Sequence, residues 1–386
     1  MNKYKSFYIF CFVTIILTGC WDVVNIEERG FIVGSAIDIE EEDSKHPEFT
    51  ITNQMVLPAG MIPAAAGGSG EEIAFLNYTS KGKSIYQMEE EIAAISSKVP
   101  YYEHLTILVV SEDVAKKEHL FSNLLDTYIR DVNLRRGIKV VVSKEKAKEL
   151  LNFTTPNDKL PAMHIEELLE KSSDQLGFLK PRVVGDIEED HLREKSYVLP
   201  YLDIKEYLEY KYGAVFHGPK DKMVGILNDD EMNGLEMIEG VHTTKIIEFP
   251  YKGRTFALKT IRSNSNLSVD PKDINNINVT IDIEVEGVIK EAFSNTDFRK
   301  PSEIKEVQKA VSNEVKKYIE KSIKKAQEEL GADVFNIWQQ LETKHYKKWE
   351  RVKDDWEKGE YYFKKVNFDI NVTTEIYGIG TTNKTT

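Results

Sequence analysis

Two cysteines and eight histidines are the side chains best suited to nucleophilic or metal chemistry in this chain, and their spacing argues against both. The histidines stand at 46, 104, 119, 164, 191, 217, 242 and 345, with no HExxH and no pair four apart. No helix face therefore offers two imidazoles to one metal. His191 lies among Glu188, Glu189, Asp190 and Glu194, a group that reads better as a solvated acidic surface than as a cation site. His104, just before an apolar run, reads as a packed or hydrogen-bonded side chain. NYTSKGKS (77–84) matches a phosphate-binding loop except that Asn77 replaces the first glycine, the residue that lets backbone wrap a phosphate. Ser84 with Gln87 fits a helix capping box instead. GGSG (67–70) lacks the strand-to-helix setting of a nucleophile elbow, and Gly378 and Gly380 have no helix after them to make a dinucleotide loop. Carboxylate runs such as Glu89 to Glu91 fall in helical, solvated text. No catalytic residue, cofactor site or metal ligand is assigned, and the chain reads as not an enzyme.

Cys20 is different. Lys3 and Lys5 precede a mostly apolar run over 7–17, then small residues, then the cysteine, which is the layout of a secretory signal. The run falls short of the ~20 apolar residues that a spanning helix needs. LTGC (17–20) resembles a bacterial lipobox, in which the thiol receives diacylglycerol and the chain is cut before the cysteine. Cys20 is thus the expected lipid attachment, and residues 1–19 the signal peptide. Two acyl chains on one residue anchor stably where one binds only marginally. Since Cys11 lies in the signal, the mature body is expected to have no free thiol, so disulfides, thiol catalysis and cysteine–zinc sites drop out.

The body is read from composition and periodicity. Its 41% hydrophobic and 30% charged residues suit a globular, core-forming protein, and 386 residues leave room for two or three domains. A net charge of −13 argues against nucleic acid and against lying flat on anionic lipid. Strands are expected at 30–40 and 48–58, followed by a Pro/Ala/Gly-rich loop (58–71) and a strand–turn–helix unit ending near 97. Two apolar strands, 105–110 and 138–142, each end in a serine followed by charged helical residues. Ser111, Ala115 and Lys116 recur as Ser143, Ala147 and Lys148, which favours βαβ units with parallel pairing. A helix at 165–173 and irregular acidic text at 185–195 lead to a boundary near 207–212.

The second half starts with two strands (213–227) joined by a turn at Pro219, Lys220 and Asp221, then a helix within 228–240. Residues 277–291 and 365–378 alternate apolar and polar, the mark of antiparallel strands with one face wet. Between them runs a long amphipathic helix, 302–330, with Pro301 near its start and Gly331 after its end. Trp338, Tyr346, Trp349, Trp356, Tyr361, Tyr362 and Phe363 read first as core packing and second as a partner or membrane-interface surface. Trp349 and Trp356, seven apart, share a face if the helix continues. The expected fold is mixed α/β (α+β), with βαβ-type units first and an antiparallel sheet under a long helix second. The expected domains are 20–208 and 209–380, with 381–386 a polar tail.

Several stretches in order carry a family likeness: LTGCWD with IEERGFIVGSAID, YYEHLTILVVSE, LLDTYIRDVNLRRGIKVVVS, GAVFHGPKDKMVGILNDDEMNGLEMIEG and LGADVFNIW. Together they resemble the Ger(x)C (GerAC-type) family, the C subunits of spore nutrient germinant receptors, over nearly the whole mature chain. The resemblance implies a lipoprotein on the outer surface of the spore inner membrane, built of about three mixed α/β domains. It implies work beside an A-type subunit and a transporter-like B-type membrane subunit that together respond to amino acids, sugars or nucleosides. It assigns no chemistry to the C subunit, and Cys20 is the only functional residue carried over. The alternatives are a solute-binding lipoprotein of a transporter, which needs two similar lobes around a cleft, and a surface hydrolase, which needs a pocket of converging groups.

Overall fold

A computed structural model describes residues 28–40, 47–61, 73–131, 134–155, 158–240, 245–293 and 297–378. The signal, Cys20, the GGSG stretch, Gly380 and the 381–386 tail lie outside the described residues.

The first sheet grows from apolar runs. In chain order come β1 (Arg29–Ile39), β2 (Phe49–Val56), β3 (Phe75–Gly82), α1 (Ile85–Ile95), β4 (Val99–Tyr101), β5 (Ile107–Ser111), α2 (Glu112–Lys116) and α3 (Leu120–Arg130). Then follow β6 (Lys139–Ser143), α4 (Ala147–Asn152), α5 (Pro161–Leu176), α6 (Val184–Leu192), β7 (Tyr197–Ile204), β8 (Leu208–His217) and β9 (Lys222–Leu227). The strand order is β3-β2-β1-β5-β6-β7-β8-β9, with β4 beside β1. β1, β5, β6 and β7 pair in parallel, and the flanking strands antiparallel. β5 and β6 are buried on both faces because helices cover both. Leu108, Val110, Val140 and Val142 join a core under α1, α2, α3 and α6, while Ile107, Val109 and Val141 join another under α4 and α5.

The serine repeat is a true register match, Ser111 opposite Ser143. The helices after it start differently. Ser111 Oγ accepts the Val114 N–H (3.4 Å) and caps α2 at once. α4 begins later, where the Asp38 carboxylate accepts the N–H groups of Ala147 (2.7 Å) and Lys148 (3.1 Å).

One expectation changes here. The acidic text at 185–195 is not irregular: α6 occupies most of it, because Val184 and Ile187, three apart, drop into the first core. The boundary expected at 208/209 falls in the hairpin joining β7 to β8, where Ile204 pairs with Leu208. Lys205, Glu206 and Tyr207 at the turn are exposed, yet the strands on either side belong to one sheet.

The second sheet follows α7 (Asp229–Glu239), whose start is closed by a reciprocal pair: Glu231 N–H to Asn228 Oδ1 (3.1 Å) and Asn228 N–H to Glu231 Oε2 (2.7 Å). Strands β10 (Ile246–Tyr251), β11 (Arg254–Asp273) and β12 (Asn276–Ala292) lead to α8 (Pro301–Lys324), which continues as a π turn over Lys325–Leu330. Short helices α9 (Ile337–Lys344) and α10 (Tyr346–Val352) precede β13 (Asn367–Gly378). The order is β10-β11-β12-β13. Val307, Val311, Val315, Ile319 and Ile323 of α8 bury against Val279, Ile281, Ile283 and Val285 of β12 and their neighbours. The mixed α/β class stands, but the expected all-antiparallel second sheet is corrected: β13 runs parallel to β12. α8 crosses over the sheet between them, as a parallel connection requires. Alternation reports which face is buried and carries no information on strand direction.

Candidate functional site

Cys20 lies outside the described residues, so the geometry bears on the other candidates. The acidic group around His191 disperses onto separate cations. Glu188 pairs with Arg136, Glu189 with Arg193 (3.2 Å), Asp190 with Arg182 and Glu194 with Lys358 (2.6 Å). His191 itself is no part of a solvated surface: its Nε2 lies 2.7 Å from the Tyr197 hydroxyl, its ring meets Phe121 edge-on, and burial lowers its pKa. Among the described residues no group of three or more His, Cys, Asp or Glu is placed to hold a metal ion. His104 is exposed, its ring edge-on to Phe31 at 5.2 Å.

The phosphate-loop look-alike is built for packing. Asn77 sits within β3, accepts from Gln54 Nε2 (3.1 Å), and donates to the Leu151 carbonyl and to Asn152 Oδ1 (both 2.8 Å). Those bonds tie the sheet edge to the end of α4. Ser84 Oγ accepts the Gln87 N–H (3.4 Å) and caps α1.

A cluster of buried polar groups, Ser196, Asp333 and Glu357, lies where the two halves meet. Trp338, Trp349, Trp356 and Phe363 form a continuous chain of tilted and edge-on ring contacts, with centroids 6.5, 5.8 and 6.1 Å apart. Core packing is therefore the reading that holds for these four, while Tyr346 is exposed. Trp349 and Trp356 do not share a helix, since α10 ends at Val352; a turn brings them together. Asp333 organises the cluster. Its Oδ1 accepts the N–H groups of Phe335 (3.3 Å) and Ile337 (3.2 Å), and its Oδ2 those of Trp338 and the Trp356 indole (both 2.9 Å). Burial raises its pKa against those four donors.

Glu357 accepts the Asp333 N–H and bonds Ser196, and burial followed by the Asp333 charge pushes it up to about 8. The first half enters through Lys195 and Ser196. Lys195 Nζ stands 4.2 Å from the Trp338 ring centroid and 4.4 Å from that of Trp349, and burial lowers its pKa. Ser196 Oγ accepts the Gly218 N–H (3.0 Å). A half-buried ammonium between two indoles is a favourable cation–π arrangement, worth about 0.5–1 kcal/mol where solvent still reaches it.

Beside this seam opens a cleft of ≈ 740 Å³, reached by Arg182, Tyr197, Glu239 and Asn336. Arg182 lies over the Tyr197 ring at 5.7 Å, and Asn336 Nδ2 donates to Glu239 Oε1 (3.1 Å). Burial lowers the Arg182 pKa and raises that of Glu239. Among the described residues the lining holds no histidine or cysteine, and the Ser196 hydroxyl is engaged by Gly218 and Glu357. The arrangement ties elements together. Sequence reasoning missed Lys195, Asp333 and Glu357, because no periodic pattern marks the Asp333–Glu357 contact, 24 residues apart, or the approach of Lys195 to Trp338 and Trp349 from the other half.

Comparison with known proteins decides the family. One model, the spore germination protein N-terminal domain, matches residues 22–204, and a second, "Spore germination B3/ GerAC like, C-terminal", matches 212–380. The chain belongs to the GerAC-type spore germination family. It is similar along its length to spore germination protein YndF of Bacillus subtilis (strain 168), 27% identical over 401 residues, covering 98% of this chain and 97% of the relative. Spore germination protein B3 of the same organism is 24% identical over 393 residues, covering 100% of both. The crystal structure of the GerBC protein superposes with a TM-score of 0.62 at 16% identity, covering 89% of this chain and 97% of that one. That GerAC-type likeness is one of fold, and it agrees with the mixed α/β architecture.

Proposed function

We propose that this chain is the lipid-anchored, non-catalytic C subunit of a spore nutrient germinant receptor. The observation that carries the reading is the end-to-end match to spore germination proteins, which supports a role in germination. The lipobox-like LTGC at 17–20 supports attachment through Cys20. Among the described residues no helix is long and apolar enough to cross a membrane. Diacylglycerol on Cys20 holds the body at the outer surface of the spore inner membrane. Confinement to the membrane plane raises its effective concentration near A-type and B-type membrane subunits. The buried seam serves this role by joining the two halves through Lys195, Ser196, Trp338 and Glu357. Among the described residues the halves have unlike sheets, nine strands against four, so the two-lobed solute-binding alternative gains no support.

A Cys20→Ala strain tests the proposal. The substituted protein is expected in the soluble fraction, and nutrient-triggered germination is expected to be lost while a non-nutrient trigger still works. Full nutrient response with the protein gone from the membrane overturns it.

A further inference from the structure

Among the described residues, and apart from the three-residue β4 beside β1, four strands end the two sheets, and three of them are blunted against further pairing. β10 has six residues, contains Pro250 and is flanked by Lys245 and Lys252. β9 also has six, with the Leu330 side chain packed over Gly225. β3 carries Lys81 and is tied to α4 through Asn77. Short length, proline, lysine and covering contacts are the usual protections of a sheet edge. β13 has few of them. Its twelve residues, NFDINVTTEIYG, include no proline, lysine or arginine. It pairs with β12 residue for residue from Asn278↔Asn367 to Gly287↔Ile376 without a bulge. Among its carbonyls, that of Ile370 takes the Lys316 ammonium (3.1 Å), a flexible side chain that an incoming N–H can replace.

The two faces of β13 state what would fit beside it. On the α8 side Ile370 and Thr374 are buried, and Thr374 Oγ1 lies 2.8 Å from Ser312 Oγ. Phe368, Val372 and Ile376 are only partly covered and form the margin of the core between α8 and the second sheet. On the other side Asp369 and Glu375 stand beside Asp282, Glu284 and Glu286 of β12, in partly exposed or exposed positions. We propose that β13 is a docking edge for an extended segment of a partner protein, a strand whose residues alternate between basic and apolar. Its backbone continues the sheet, its apolar residues cover Phe368, Val372 and Ile376, and its lysines or arginines face the acidic side. A second copy of this chain is the poorer occupant, since it sets one acidic strand against another on a body of net charge −13. The inference rests on the reading that the body acts by assembly, but it needs no lipid.

The probe is a synthetic peptide of alternating lysine and valine, matched in length to β13. The control has the same composition with lysines and valines in separate blocks. With the purified mature protein, the alternating peptide is expected to bind and to slow amide hydrogen exchange across residues 367–378. The block peptide is expected to bind weakly and to leave that exchange unchanged. Reversing two cross-strand charges with Asp369→Lys and Glu375→Lys, both at exposed positions, should weaken the alternating peptide by roughly threefold to tenfold. No binding, equal binding of both peptides, protection elsewhere, or indifference to the two substitutions overturns the proposal. So does concentration-dependent protection of β13 without peptide, which would assign the edge to a second copy. Any of these leaves the outcome with Cys20→Ala unaffected, so the two readings fail separately.

Discussion

Glu357 illustrates how a single side chain ties stability to pH. Burial, reinforced by the Asp333 charge, moves its pKa from 4.5 up to about 8. The folded state therefore keeps a proton that an unfolded glutamate releases. That contribution is complete below about pH 4.5 and is lost as pH climbs through about 8. His217 has the opposite sign: burial and Lys220 push it down to about 4, so its contribution is lost as pH falls from 6.5 toward 4. Glu89 and Glu236, both raised to about 7 by burial, share the sign of Glu357 but finish titrating earlier. Glu357→Gln should keep the bonds to Ser196 and remove one titration. Thermal unfolding between about pH 6.5 and 8.5 is expected to show the parent losing stability with rising pH and the variant losing less. Equal slopes would mean that Glu357 is already ionised in the folded protein. None of this was legible in the sequence, where Glu357 is one more acid in a charged stretch.

Among the secondary-structure elements, the sequence spoke clearly wherever periodicity met a strong stop. α8 was readable from its apolar stripe, Pro301 and Gly331, and Gly331 does take a left-handed φ of 69°. The direction of β13 was not readable, because the same alternation serves a parallel or an antiparallel neighbour. Nor was the closeness of α7 and α8. A Cβ at Gly234 would run into the Tyr318 carbonyl and approach Ser322. Gly234→Ala must push the helices apart, and overpacking of this kind costs ~1–3 kcal/mol. Chemical denaturation should show a lower midpoint with an unchanged slope. An unaltered midpoint would indicate that the two helices have room to spare.

For the molecule as a unit, the decisive fact is that β8 serves three cores. Leu208 and Tyr210 join the core under α4 and α5, Ala214 and Phe216 the core under α1, α2, α3 and α6, and Val215 the core of the second sheet. Lys195, Ser196, Asp333 and Glu357 then lock the same junction from the other side. A chain stopped at 207 loses β8 and leaves the edge of β7 unpaired, where Leu199 pairs with Ala214 and Tyr201 with Tyr212 in the full chain. Such a fragment is expected to aggregate on size-exclusion chromatography, whereas one extended to 227 should yield more monodisperse protein. The reverse order would show that β8 belongs energetically to the second half alone.

Local signals were enough to suggest a leader with its cysteine, to place most strands and helices, and to carry the family likeness, because charge, period and capping act over neighbouring residues. Packing in three dimensions settled that β13 runs parallel, that 184–192 is helical, and that the halves share β8. It brought Lys195 between two tryptophans and placed Glu357 against Asp333. Those outcomes depend on which distant surfaces exclude water from one another, and no local pattern records that choice.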